Sequence, residues 1–448
     1  MIVLAVLILA YPGFAWLIGL QVEASTLKGE QQALAAYPGA ITIISRQYQR
    51  SVFGATEVLT YGLGTEVSRA LAPLAGITDV AGMRMVVRNT YHHGPLPQFR
   101  TVALATFSSK VELPPQLATK IRALLGGEPI FEIRGRLGWF GGTTTVVTSP
   151  GYEVHLASGS QLSWRALDVS SSTNADLSSA SIDGKLAGFE AKSAKLQVQL
   201  QDLQISADWK KVFGGMCAGP FSLKIATVKW LPQAPSPPGS IQGFSIAANG
   251  SVDGDYYTST VQFGADAVRA SEYSITHAIY AISFEHLHGP TLAKITHEVR
   301  EMRAKADPTA PQSPAAALDE LKKGAVELLV HDPVMNVSQI GFVMPEGALR
   351  LSARVSAPGL KREDLDGPQL PAALIQHLNI VADLRIDAAL LTRLLASNAR
   401  KDTFAAQIDA LEKQGYIKRD GAALTAHVTV TGTKIAVNGK PYPPGSGA

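Results

Sequence analysis

Histidine clusters in two places, and these are the first positions to question for chemistry. His92-His93 precedes Gly94-Pro95, and His286-Leu287-His288 precedes Gly289-Pro290. Imidazoles hold zinc only when further imidazoles, thiolates or carboxylates converge on the same point. On an extended strand His286 and His288 share a face while Glu285 points away, and His92 and His93 face opposite sides. A plainer reading fits both: each His-Gly-Pro closes a strand, with Gly and Pro supplying turn geometry and His capping backbone groups. The single cysteine, Cys217, excludes a disulfide framework and any CxxC site, and is expected as a small core residue. No Gly-x-Ser-x-Gly elbow is present, and Gly159-Ser160 and Ser170-Ser171-Ser172 sit in polar, loop-like surroundings. Asp253-Gly254-Asp255 lacks the later ligands of a calcium loop and reads as a hairpin turn. The glycines from Gly138 to Gly142 are followed by no Lys-Ser/Thr pair, so they do not read as a phosphate cradle. Asp364 and Asp366 fall in a charged, Pro/Gly-flanked linker and are expected to face water. The residues therefore nominate no catalytic, metal or cofactor-binding position, and no cofactor.

The elements that position these residues are mostly strands. The chain has 448 residues, of which 46% are hydrophobic and 17% charged, with a formal net charge of +3. So small a charge, with no basic run, argues against nucleic acid as a partner. Residues 1–20 carry no charge and the first is Glu23, a run whose helical length matches a hydrocarbon core of about 30 Å. Residues 1–22 are thus expected to be a transmembrane anchor or signal helix. Pro12-Gly13 interrupts the run, and a short helix or spacer from Ala33 to Tyr37 follows it.

From Ile41 to about Thr276 strand-length segments alternate with turns. Leu196, Val198 and Leu200 alternate with glutamines, then Leu203, Ile205 and Ala207 continue one register later, which requires a bulge near Asp202. Helices are expected at Thr291–Ala306, Ser313–Leu329 and Ala388–Gln414, the last capped by Gly415. Strands resume at Leu349–Val355, and Leu424–Val430 pairs with Ile435–Val437 in a closing hairpin. The expected fold is α+β, mostly antiparallel sheet, as an extended or two-unit β body with inserted helices behind one N-terminal helix. Its expected parts are the anchor, a β-rich domain over residues 40–290, an α+β region over 291–440 and a disordered tail over 441–448.

Several segments, taken in order, resemble the YdgA-like family of bacterial envelope proteins. They begin with Tyr48-Gln49-Arg50-Ser51-Val52-Phe53-Gly54 soon after the apolar run, then Tyr91-His92-His93-Gly94-Pro95. Phe131-Glu132-Ile133 through Gly138-Trp139-Phe140-Gly141-Gly142 follow, and Asp332-Pro333 comes after a leucine-rich stretch. The ending carries Gly415-Tyr416-Ile417 and Val437-Asn438-Gly439-Lys440-Pro441. The signature positions, whose role the resemblance leaves open, are Tyr48, Phe53, His93, Gly94, Pro95, Asp332, Pro333, Gly415, Tyr416, Asn438 and Gly439. The resemblance implies a single-pass inner-membrane protein with its body in the periplasm, and no established reaction. Two functional expectations stand. The first is a non-enzymatic envelope protein with a structural, scaffolding or lipid-handling role, whose partners are the membrane, a lipid or another envelope protein, with homodimerisation through the helix–hairpin ending. The alternative is a periplasmic hydrolase or metal-dependent enzyme using His92 or His288, which requires the histidines to converge with a carboxylate.

Overall fold

A computed structural model describes residues 2–36, 41–64, 67–68, 82–114, 118, 131–155, 159–305, 324, 326–365, 370–395 and 401–442. For residues 2–10, 32–33, 35–36, 300–305 and 401–405 the description is of the backbone alone. They form two compact units, one of Met1–Ala194, Gln204–Asp208 and Arg303–Gln312, the other of Lys195–Leu203, Trp209–Met302 and Ser313–Ala448. Every strand pairing described within them is antiparallel, as expected for segments joined by short turns.

Unit 1 opens with α1 (Ile2–Ala36), one helix that passes through Pro12 and takes in the expected spacer as far as Ala36, with Tyr37 outside the described residues. The meander that follows is β1 (Ile41–Arg50), β2 (Gly54–Leu63), β3 (Arg84–His93), β4 (Ala105–Glu112), β5 (Glu132–Leu137) and β6 (Thr143–Ser149). β6 pairs with β8 (Gln161–Thr173), and β8 then pairs with β9 (Ser179–Lys192). β7 (Tyr152–His155) also lies on β8, continuing the line of β6. The break between them falls at Pro150-Gly151, where proline has no N–H for a ladder. Ser170, Ser171 and Ser172 lie inside β8 and not in a loop, because their small hydroxyl side chains fit a half-wet sheet face. The core joins helix to sheet: Ile18 and Val22 of α1 pack with Ala55, Tyr91, Leu104, Ala105 and Leu137. Among the described residues no helix is long and apolar enough to cross a membrane.

β10 (Leu196–Lys211) carries Asp202 at φ +52°, the irregularity that the phase slip required. In unit 2 four long strands come first: β11 (Cys217–Pro232), β12 (Gly239–Asp253), β13 (Tyr256–Ala270) and β14 (Tyr273–His288). Gly254, at φ +57°, makes the tight β12–β13 turn expected of Asp-Gly. After α2 (Gly289–Lys305) come β15 (Val334–Met344), β16 (Gly347–Ser356), α3 (Leu370–His377) and β17 (Asn379–Asp387). α4 (Ala388–Leu395), α5 (Lys401–Gln414), β18 (Lys418–Asp420), β19 (Ala423–Thr431), β20 (Lys434–Val437) and β21 (Lys440–Pro441) complete the chain. β17 pairs with β19, so α4, α5 and β18 form an insertion between neighbouring strands.

Several expectations need correction. Cys217 is exposed: it starts β11, where its carbonyl accepts the Tyr257 hydroxyl, and it reaches no core. The expected helix from Ala388 to Gln414 is two helices, with residues 396–400 outside the described residues. α3 was not anticipated, because Pro371 inside a short apolar run gave no periodic signal. Most of the expected Ser313–Leu329 helix lies outside the described residues, as do positions 443–448 of the tail, while Lys440–Pro441 pair with β20.

Candidate functional site

Three constellations concentrate the polar or unusual side chains. The first lies in unit 1, where α1 docks on the sheet. Strand alternation puts Ala55, Glu57 and Leu59 on one side of β2, and Glu57 is fully buried. A buried carboxylate survives only with full hydrogen bonding and a counter-charge. Arg46 supplies the charge, its Nε donating to Glu57 Oε1 at 2.8 Å. The Tyr91 hydroxyl and Asn89 Nδ2 both donate to Oε2, at 2.8 and 2.9 Å. α1 brings a second carboxylate: Glu30 Oε2 is 3.2 Å from Arg46 Nε. One guanidinium thus faces two carboxylates. Burial, and then the negative charge of Glu57, push the Glu30 carboxyl up from 4.5 to about 7 against the pull of Arg46. Burial, reinforced by Glu23, holds the Tyr48 phenol up at about 12.

The seam continues along α1 at helical spacing. Glu23 approaches Arg50 at 3.8 Å, and the Arg50 guanidinium lies 4.9 Å above the Trp16 ring. His93 Nδ1 donates to the Ala15 carbonyl at 3.0 Å, and burial lowers its pKa. Gly19 admits that imidazole, since a Cβ there would stand 2.7 Å from the ring. Tyr11 donates to the Leu96 carbonyl at 3.0 Å and stacks on Phe53 and Phe99 at 5.9 and 5.6 Å. Of the signature residues, Tyr48, Phe53, His93 and Gly94 meet this seam, and Pro95 follows in the same turn. Gly94 needs its φ of +138° there, with the Tyr11 hydroxyl 3.2 Å from where a Cβ would be. Glu57 is fully buried beneath α1 and Glu30 reaches Arg46 from the helix itself, so the two carboxylates and the guanidinium fasten α1 to the sheet.

The remaining signature residues close unit 2. Asp332 Oδ1 accepts from the Gly359 amide at 2.7 Å, and Pro333 leads into β15. Gly415, at φ +75°, ends α5, and the Tyr416 hydroxyl donates to the Pro441 carbonyl at 2.9 Å. Asn438 Nδ2 donates to the Tyr416 carbonyl and its Oδ1 accepts from the His427 amide, with Gly439 completing the turn at φ +78°. These contacts tie helix end to hairpin.

The second constellation is an aromatic stack in unit 2. Tyr256 lies on His286 at 3.7 Å, and His288 lies on His331 at 3.9 Å. His286 Nδ1 meets the His331 carbonyl and His288 Nδ1 meets Thr291 Oγ1, both at 2.8 Å. Burial first, then the neighbouring His288, lowers the His331 pKa. The two His-Gly-Pro segments diverge here: Gly94 turns, whereas Gly289-Pro290 opens α2. Among the described residues no group of three or more His, Cys, Asp or Glu is arranged to hold a metal ion.

The third is the sheet of unit 2. Leu223, Ile246, Phe263, Tyr280, Ile340, Leu351, Leu384 and Ala426 stand directly opposite one another from β11 to β19. A parallel row runs through Phe221, Ala248, Val261, Ile282, Val337, Ala353, Ala382 and Val428. The rows lie two residues apart on every strand but β15, where an irregularity between Val337 and Ile340 adds one residue, and they share one face. α4 and α5 cover one end, where Leu390, Leu391 and Ile408 pack with Met344, Ile386 and Leu424. Beyond it Phe263, Tyr280, Phe284 and Leu384 are 40, 39, 40 and 38% exposed. The opposite face is polar. A depression of about 540 Å³ there is lined by Arg350, Arg385, Lys418, Asp383 and His427. Arg385 is paired with Asp420 and His427 with Asp383. Ser352, Asp383 and His427 lie on successive strands, so the carboxylate separates hydroxyl from imidazole and no triad forms.

Sequence reasoning missed Glu57, Arg46, Glu30 and Asn89. The available signal was a glutamate alternating in phase with Ala55 and Leu59. Tyr256 and His331 gave none, since only the β13–β14 pairing and the approach of the chain before β15 bring them to His286 and His288. A family profile described as "Bacterial protein of unknown function (DUF945)" matches residues 1–445. Neither a curated protein nor a solved structure matches the chain.

Proposed function

The chain belongs to this bacterial family of unknown function, and from that premise we propose a non-enzymatic, membrane-tethered envelope protein that holds lipid chains on the unit 2 sheet. The YdgA-like resemblance supports the same address. The observation that carries the reading is the pair of apolar rows crossing unit 2 with side chains left two-fifths exposed. A sheet face needs a second layer or a ligand, because exposed apolar area of this extent is unfavourable in water. An acyl chain laid across the rows would gain about 0.8 kcal/mol per buried methylene. The uncharged residues 2–10, which extend α1 beyond the part packed on unit 1, provide the tether that keeps such a protein at a lipid source. The periplasm is the proposed compartment of the body.

The test is mass spectrometry of lipids extracted from the full chain after detergent-free purification, beside light scattering. Phospholipid in stoichiometric amount, lost in the Phe263→Asp/Tyr280→Asp variant, is the expected outcome. A lipid-free protein overturns the reading. If that protein is also dimeric, a second copy supplies the missing layer.

A further inference from the structure

The helix α1 runs antiparallel to β1: Glu30 meets Arg46, Glu23 meets Arg50 and Tyr11 meets Phe53. Its N-terminal end therefore lies where the sheet of unit 1 makes its turns. Register places four turns at that end, at residues 51–53, 94–104, 138–142 and 174–178. Their large apolar side chains point into solvent: Phe140 is 96% exposed, Phe99 78%, Val102 70%, Phe53 49% and Trp139 40%. Phe99 takes a left-handed backbone, φ +55°, an unfavourable conformation for an aromatic residue. Only Arg100 and Asp176 carry charge in these turns. Tyr11, stacked between Phe53 and Phe99, joins the patch to the helix.

Beyond Tyr11 the helix continues to Ile2 through Ile-Val-Leu-Ala-Val-Leu-Ile-Leu-Ala. Those residues rise about 14 Å, roughly half of a hydrocarbon core. Whatever apolar phase receives them must meet the turns at their base. We infer that this end of unit 1 is a bilayer-contact surface, with Phe53, Phe99, Val102, Trp139 and Phe140 seated in the interfacial layer of the membrane that takes residues 2–10. Aromatic rings favour that layer, and Arg100 is placed to meet anionic headgroups. The inference rests on the tether reading above and goes beyond it, from attachment of the N-terminus to a body held in one orientation.

The test uses the full chain with Cys217→Ala, which removes the one native thiol, and an environment-sensitive label at position 102 through Val102→Cys. Phe140→Cys gives a second label site, and Lys192→Cys a control at the far end of β9, about 40 Å away by strand rise. Each is mixed with phosphatidylethanolamine–phosphatidylglycerol vesicles. The expected result is co-flotation, with a blue shift and quenching by a headgroup-level quencher for labels at 102 and 140 and neither for the control. Co-flotation with labels at 102 and 140 still in water overturns this surface and leaves the tether standing. Failure of the chain to float removes the tether and this inference together.

Discussion

Replacing Glu30 with glutamine should stabilise unit 1 above neutral pH and remove most of a pH dependence centred on the α1 seam. Glu30 and Glu57 share one guanidinium, and Glu30 is held at about 7 against 4.5 in the unfolded chain. The folded state therefore binds more protons than the unfolded state between those values. Its stabilising contribution is fully present below about 4.5 and lost as pH rises through about 7. At 1.36 kcal/mol per unit the loss is at most about 3 kcal/mol, for a side chain 13% exposed. His93 acts with the opposite sign, since its lowered pKa costs stability as pH falls below 6.5. The difference between wild type and Glu30→Gln isolates the carboxylate. Hydrogen exchange of β2 and β3 amides at several pH values, corrected for intrinsic exchange, reads the opening free energy directly. The reasoning is refuted if the variant is less stable than wild type at pH 8, or if the two curves stay parallel.

Other outcomes follow from the same contacts. Gly19→Leu drives a side chain into the His93 imidazole and should cost about 1–3 kcal/mol, with α1 amides losing protection before those of β4 and β5. Asn438→Ala removes the ties to Tyr416 and His427, and should loosen the β19–β20 hairpin by about 1–3 kcal/mol while leaving exchange in β12 and β13 unchanged. The lowered His331 pKa means that local stability is present above 6.5 and lost as pH falls through its folded value. In His331→Phe, which keeps a ring on His288, the acid-induced exposure of the β14 end seen by hydrogen exchange should shrink.

Most of the secondary structure was legible because strands announce themselves by alternation and turns by chemistry. Asp253-Gly254-Asp255, the slip at Asp202, the Gly415 cap and the closing hairpin all appear where local residue types require them. Features that depend on register were not legible. Phe263 and Tyr280 each read as one apolar residue in an alternating strand, and only pairing lines them up with Leu351 and Leu384. Cys217 shows the limit of residue-type averages: a cysteine at the first position of a strand has nothing above it to bury against. At His93 the expected turn and the expected capping of a backbone group are both present, and only the distance of that group along the chain was hidden. Gly94 and Pro95 form the turn, and the imidazole serves the backbone of a helix nearly eighty positions away in sequence, at Ala15. Arg46 comes from β1, Asn89 and Tyr91 from β3 and the second carboxylate, Glu30, from α1, so no local pattern encodes the surroundings of Glu57.

Site-specific photocrosslinking on the apolar face of unit 2 shows whether lipid occupies it. A benzophenone side chain at position 263 or 280 faces the rows, and one at position 262 faces the polar side of the same sheet. Irradiation in cells, followed by mass spectrometry of the purified chain, should show phospholipid adducts at 263 and 280 and none at 262. Equal adducts at all three positions, or protein adducts in place of lipid at 263 and 280, would contradict a lipid-holding face.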